Sequence, residues 1–384
     1  MIQKGIATFT LDEGRCPRWL FERMVRLGRE MARVLIEEYG PDEFIRRISD
    51  PVWFQALGTV LAFDWNASGL TTILTAALKE AIREREEEWG IFICGGKGRA
   101  SRRTPEEIKN WGEKLSLAEP KVKNLVYNSR MSAKVDSALV QDGFQIYHHS
   151  FFFSRNGAWA VVQQGMNTES VSARRYHWFS EDVNDLVCEP HSAVVSQHRP
   201  DTVLNLVAKE SAGSREISIA LVQAGFQPLM KDIAILRKHS SSISKTLALG
   251  NKQGEQLVLM KLEDAEFKYH PVVEEDFAKS QYLEKILAKV TDLAPENYEN
   301  LVATEGVGPK TVRALALVGE VIYGAKPSYE DPARYSFAHG GKDATPYPVD
   351  RPTYDKTISI LEKAVSRSRL PIAEKDKIFK RLAV

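Results

Sequence analysis

His148, His149, His177 and His191, half of the chain's 8 histidines, fall in one stretch that also carries carboxylates. Asp136 and Asp142 precede the histidine pair, and Glu189 and His191 flank Pro190. A spacing of two puts both of those side chains on one face of an extended chain. Imidazole and carboxylate together suit zinc or manganese, with magnesium the harder alternative, and an open position on such an ion activates water. Asp136, Asp142, His148, His149, Glu189 and His191 are therefore the candidate ligands of a divalent metal. Neighbours on a strand point to opposite faces, so no more than one of His148 and His149 need bind it, the other serving as a core histidine. Lys97, Arg175 and His177 are the candidate catalytic groups beside the ion, where a cation such as Lys97 or Arg175 offsets charge on a phosphate.

A second constellation reads YENLVATEGVGPKTVRALALVGEVIYG and ends at Gly324. It has an apolar helix, a turn at Gly306, Val307 and Gly308, and a second helix begun by Pro309. Over residues 301–324 this spells a helix-hairpin-helix. The two glycines permit a tight turn and let backbone N–H groups approach a phosphate, aided by the partial positive charge of the helix N-terminus. Lys310, Thr311 and Arg313 complete the expected DNA-binding set with Gly306, Val307 and Gly308. Such a site grips backbone rather than base edges. The plainer alternative, an αα-hairpin with a glycine turn, needs neither two spaced glycines nor the Pro-Lys-Thr that follows.

Two glycine-rich basic loops are less telling. Cys94-Gly95-Gly96-Lys97-Gly98-Arg99, with Arg102 and Arg103 beyond, lacks the order of a P-loop, so no nucleotide cofactor is expected. His339-Gly340-Gly341-Lys342-Asp343 is similar; Asp343 or Asp350 is a further metal candidate there, and a surface loop is the plain alternative.

The elements that must position these groups follow from periodicity. After a strand-like opening at 6–11, helical spacing and ordinary punctuation predict helices near 19–39, 41–49, 51–62 and 70–88, interrupted by a Phe63-Asp64-Trp65-Asn66 stretch. Residues 142–167 read as a hairpin about Asn156-Gly157. A two-residue loop there sets Arg155 against Ala158, His149 against Gln164 and Ser150 against Gln163. Strand-like runs follow at 192–196 and 202–209, then helices, with a charged segment at 274–279 as the boundary. The expected fold class is α+β: a helical layer and a hairpin-containing mixed domain over 1–275, then an all-α helix-hairpin-helix domain over 276–384.

At 384 residues the chain should hold two or three domains of roughly 100–200 residues. With 52 Lys+Arg against 51 Asp+Glu there is no global cationic field, so a nucleic-acid site must be a local patch. Cys16, Cys94 and Cys188 form no Cys-x-x-Cys pair, which argues against cluster, finger or disulfide framework and fits a reducing cytoplasm. No signal-like or membrane-spanning run stands out, so no membrane association is expected and a cytoplasmic, nucleoid-associated location is.

The strings CGGKG, AKVDSALVQDGFQIYHHSFFF, WAVVQQGMN, ARRYHW, EPH, RYSFAHGGKD and PVDR together resemble a prokaryotic family described as a domain of unknown function, over nearly the whole chain. The resemblance implies DNA-associated proteins with a C-terminal helix-hairpin-helix and a metal-dependent nuclease role. The sequence departs from that pattern at Asp12-Glu13-Gly14, where the family resemblance implies His-Gly-Gly, so either Asp12 substitutes as a ligand or the site is altered. The hairpin itself resembles that of endonuclease III-type DNA glycosylases, which implies Lys310 as a Schiff-base nucleophile with Asp331 as the nearest following aspartate. Metal-dependent DNA endonuclease or structure-selective processing in repair or recombination is thus the leading expectation. A glycosylase/lyase and a non-enzymatic DNA-structure binder are the alternatives. One hairpin covers few phosphates, so a homodimer is expected, with other repair proteins as further partners.

Overall fold

The computed structural model describes residues 16–61, 69–196, 200, 202–239, 249–250, 256–257, 281–333 and 351–382. Expectations for 6–11, Asp12, the 63–66 stretch, the 274–279 boundary, Asp343 and Asp350 lie outside them. Contacts divide the chain into two units, one of residues 1–137, 143–199 and 332–384, the other of 138–142 and 200–331.

The first unit opens with helices α1 (Arg18–Tyr39), α2 (Pro41–Ser49), α3 (Pro51–Val60) and α4 (Gly69–Ala81). Met24, Gly28, Met31 and Leu35 recur at helical spacing and bury one face of α1, which Gly40 ends at φ +84°. Asp50 caps α3 by accepting from the N–H groups of Val52 and Trp53 at 2.8 and 3.1 Å, a contribution of about 1 kcal/mol. The helix expected over 70–88 stops at Ala81; the backbone passes a left-handed φ of +68° at Glu84 before a short α5 (Glu86–Trp89).

Next come β1 (Ile91–Lys97), α6 (Arg99–Arg102), α7 (Thr104–Lys114) and α8 (Glu119–Ala138), then β2 (Val140–Gln141), which lies in the second unit. Strands β3 (Gln145–Ser154), β4 (Trp159–Asn167), β5 (Ser172–Phe179) and β6 (His191–Ser196) join β1 in an antiparallel sheet of order β1-β3-β4-β5-β6. One face meets α3 and α4, with Thr75 on His148 and Phe54 on His177; the other meets α8, with Ser129 on His149. Covered on both faces, β3 and β4 read as near-continuous apolar runs near their turn.

The hairpin forms, but its register is one residue from the two-residue-loop expectation. Ser154 N–H bonds to Ala158 carbonyl, so residues 155–157 make a three-residue loop with Gly157 at φ +120°. His149 consequently faces Gln163, and Ser150 faces Val162. A one-residue slip exchanges every cross-strand partner, and this one assembles the polar cluster described below.

The second unit pairs β2 with β7 (Leu204–Asn205), all that forms of the strand expected over 202–209. Helices α9 (Ala212–Gln223) and α10 (Phe226–His239) follow, then the pair β8 (Leu249–Gly250) and β9 (Gln256–Leu257), and α11 (Gln281–Leu293), α12 (Tyr298–Ala303) and α13 (Pro309–Tyr323). The last helices, α14 (Arg351–Arg367) and α15 (Ile372–Leu382), return to the first unit. Division at 275 therefore does not match the contacts. Leu361, Ala364 and Val365 of α14 bury themselves in the core of α1 to α4, and Ile217 of α9 lies against Gly319 of α13.

Candidate functional site

Asp136 is fully buried near the end of α8, and three N–H groups converge on it. His191 Nε2 meets Oδ1 at 2.6 Å, Trp178 Nε1 donates to Oδ2 at 3.1 Å, and Gln163 Nε2 donates to the same oxygen. Burying a carboxylate costs several kcal/mol, and hydrogen bonds to a charged group return about 1.5–3 kcal/mol each, so the three together offset the burial. From Gln163 the chain continues: its Oε1 meets His149 Nδ1 at 2.9 Å, and His149 Nε2 meets Ser129 Oγ at 2.9 Å. Burial holds the His149 imidazole below its ordinary basicity against the opposing pull of Gln163 and Asp136, so it is neutral at pH 7.

Of the expected metal ligands, Asp136, His149 and His191 thus share one network, but Asp136 spends both oxygens on N–H donors. His148 lies on the other face of the sheet, its Nε2 at 3.1 Å from both Thr75 Oγ1 and Ser150 Oγ, and burial first, then His149 and Lys97, push it down to about 3. Glu189 is half-buried in the loop before β6 at φ +45°, and Asp142 belongs to the second unit. Among the described residues no three His, Cys, Asp or Glu side chains stand together as a cage. His191, its side chain 7 % exposed, has no hydrogen bond to Nδ1 among the described residues.

The expected catalytic trio does not assemble around this network either. Arg175 and His177 alternate onto the His148 face, fully buried. The Arg175 guanidinium bonds Gln55 at 3.1 Å and Thr71 at 3.4 Å, and burial brings it down to about 9. Burial and then Arg175 hold His177 well below its ordinary range, against the backbone of Ile48. Lys97 is exposed at the sheet edge, over the Tyr147 ring at 5.7 Å. The glycine-rich run beside it is strand rather than loop, and its Gly95 N–H donates to Glu107, so that amide is not offered to a phosphate. Cys94 is buried, its thiol pushed up chiefly by that burial and then by Glu107.

Ser129, Gln163 and Trp178 complete the network although the candidate set omits them. Ser129, Ser132 and Asp136 recur three and four apart along α8, a buried polar stripe among apolar Leu125 and Val135 that helical periodicity could have shown.

In the second unit, α12 and α13 form a tight hairpin. Gly306 turns it at φ +93°, where a Cβ would stand 2.4 Å from Ile286 Cδ1. Val307 is buried beneath, with Leu301, Ala314, Leu315 and Val318. Gly308 is extended, has nothing within 4 Å of a built Cβ, and gives α13 no side-chain cap. Lys310 is exposed, whereas Thr311 is buried, and Arg313 donates to Gln141, whose amide in turn holds the Pro309 carbonyl at 3.0 Å. Those two depart from the expected phosphate set. From α11, Tyr282 Oη donates to the Gly306 carbonyl at 3.4 Å and Lys289 Nζ to that of Glu305 at 3.0 Å, contacts that no local motif announces.

The fold and site define an α+β chain built on a five-stranded antiparallel sheet with a buried His-Gln-Asp-His network. Residues 5–349 match the family described as Protein of unknown function (DUF763), and the chain belongs to that family. No curated protein and no solved structure matches it. No described helix is long and apolar enough to cross a membrane.

Proposed function

We infer that the protein binds DNA through the phosphate backbone at a helix-hairpin-helix over residues 301–324, and that its first unit hydrolyses the bound strand in repair or recombination. The hairpin turn carries the first part. Gly306 folds the turn onto Ile286, Gly308 stands open, and α13 begins at Pro309 without a side-chain cap beside exposed Lys310. The positive end of a helix dipole, approached past a residue with no side chain and beside an exposed lysine, suits a phosphate oxygen even though the Thr311 and Val312 N–H groups already bond the Gly308 carbonyl.

The hydrolytic part rests on Asp136 and His191. An imidazole whose Nε2 is held by a buried carboxylate is the arrangement in which the other nitrogen takes a proton from water or binds a divalent ion. Manganese or zinc is the metal we expect to assist, with magnesium a harder alternative. Elemental analysis of the unchelated protein, with cleavage assays on bubble, flap and single-stranded DNA with and without manganese, tests this. Cleavage that His191→Ala abolishes supports the hydrolase; binding without strand loss under every ion leaves a DNA-structure-binding module. Lys310 as a Schiff-base nucleophile finds less support, since such a lysine is activated by desolvation or a neighbouring cation and this one is exposed. Trapping a borohydride-reduced adduct would restore that reading. A dimer would double the phosphates covered, and the mass in solution with and without DNA decides it.

A further inference from the structure

The directions of the hydrogen bonds along Ser129, His149, Gln163, Asp136 and His191 are fixed by the Gln163 carboxamide and the Asp136 carboxylate. A carboxamide has one accepting and one donating end. On one side of Gln163 stand only acceptors, the Asp136 carboxylate and the Ser132 carbonyl at 3.2 Å; on the other stands an imidazole. With the amide reversed, its oxygen would face a carboxylate and a carbonyl in a buried site, at about 1–3 kcal/mol for each group left unsatisfied. The NH2 end therefore faces Asp136, and Oε1 must accept from an Nδ1–H of His149. Neutral His149 then carries its lone pair on Nε2, where the Ser129 hydroxyl donates. Asp136, as an acceptor-only carboxylate, requires a hydrogen on His191 Nε2.

We propose that Gln163 is the positioning residue for His149 and Asp136 the positioning residue for His191, and that the atom this order leaves for use is Nδ1 of His191, the nitrogen left to accept an electrophile, either a proton or a divalent cation. What Nδ1 does in turnover rests on the hydrolytic reading above; the proton placement does not. Ser129 follows the order that Gln163 imposes, because a hydroxyl donates or accepts with equal ease.

Nitrogen-15 imidazole spectra of the full chain, labelled at histidine, read the placement directly at neutral pH. The expected result is His149 protonated on Nδ1 and His191 on Nε2, with Ser129→Ala leaving both assignments unchanged and Gln163→Met releasing His149 into a mixture of tautomers. His149 protonated on Nε2 in the unsubstituted chain, or His191 on Nδ1, would overturn the proposal even if Gln163→Met failed to fold. So would a folded Gln163→Met that keeps the His149 tautomer. Titrating zinc into the same sample separates the two electrophiles: a shift confined to His191 Nδ1 assigns the cation, and its absence with the stated tautomers assigns the proton. If the tautomers stand and no DNA is cut under any condition, the hydrolytic reading fails and the positioning role does not.

Discussion

Three buried imidazoles set a cost in acid. His148, held down to about 3, contacts Thr75 and Ser150 and feels the charges of His149 and Lys97; His149 faces Ser129, Gln163 and Asp136; His177 faces Phe54, Arg175 and the backbone of Ile48. Each folded value lies below the ordinary 6.5, so the unfolded chain binds the proton more tightly. Their stability contribution is therefore complete above about pH 6.5 and is lost as pH falls from there, toward about 3 for His148, at up to about 1.4 kcal/mol per pH unit for each group. Urea midpoints measured across that window should fall steadily, and His177→Leu should flatten the decline. Asp136 is the acceptor that three donors require. Asp136→Ala should cost about 3–5 kcal/mol, read from the same urea midpoints, because it strands buried N–H groups. An unchanged midpoint would mean the network closes without it.

At the scale of elements, two glycines make separable predictions. A Cβ on Gly95 would lie 2.3 Å from the His149 carbonyl oxygen and 2.4 Å from Thr104 Oγ1, at φ +88°. The carbonyl belongs to a paired strand and cannot move aside, so Gly95→Ala should cost more than about 2 kcal/mol and lower Tm. Gly308 is the reverse case, extended and open, so Gly308→Val should leave Tm unchanged while blocking backbone approach and weakening DNA binding severalfold. Loss of both together would show a folding defect instead.

The helices α1 to α4 were legible because their apolar spacing and their Pro and Gly ends are local signals, and the β3–β4 hairpin was legible from Asn156-Gly157. Its register was not, because loop length depends on how Ser154 and Ala158 pair, and that single residue decides whether His149 meets Gln163 or Gln164. Proximity in sequence likewise puts His148 and Glu189 in the expected ligand set and His177 beside it as a catalytic group, whereas strand alternation sends His148 and His177 to the opposite face. At the α12–α13 turn, Gly306 and Pro309 are local signals for the bend and the helix start. The burial of Thr311 and the bond from Arg313 to Gln141 depend on a segment far away in sequence.

For the whole molecule, near-neutral net charge confines any DNA affinity to a local surface. Binding carried by a few phosphate contacts must weaken as salt rises and must ignore base sequence. The most direct test of the account is the affinity of the full chain for unrelated duplexes across a salt series, measured by fluorescence anisotropy for the native sequence and for Lys310→Ala. The account predicts equal affinities among duplexes, a linear fall of log affinity with log salt, and a slope smaller by about 1 in Lys310→Ala. No binding, or binding whose affinity and slope Lys310→Ala leaves untouched, would contradict it.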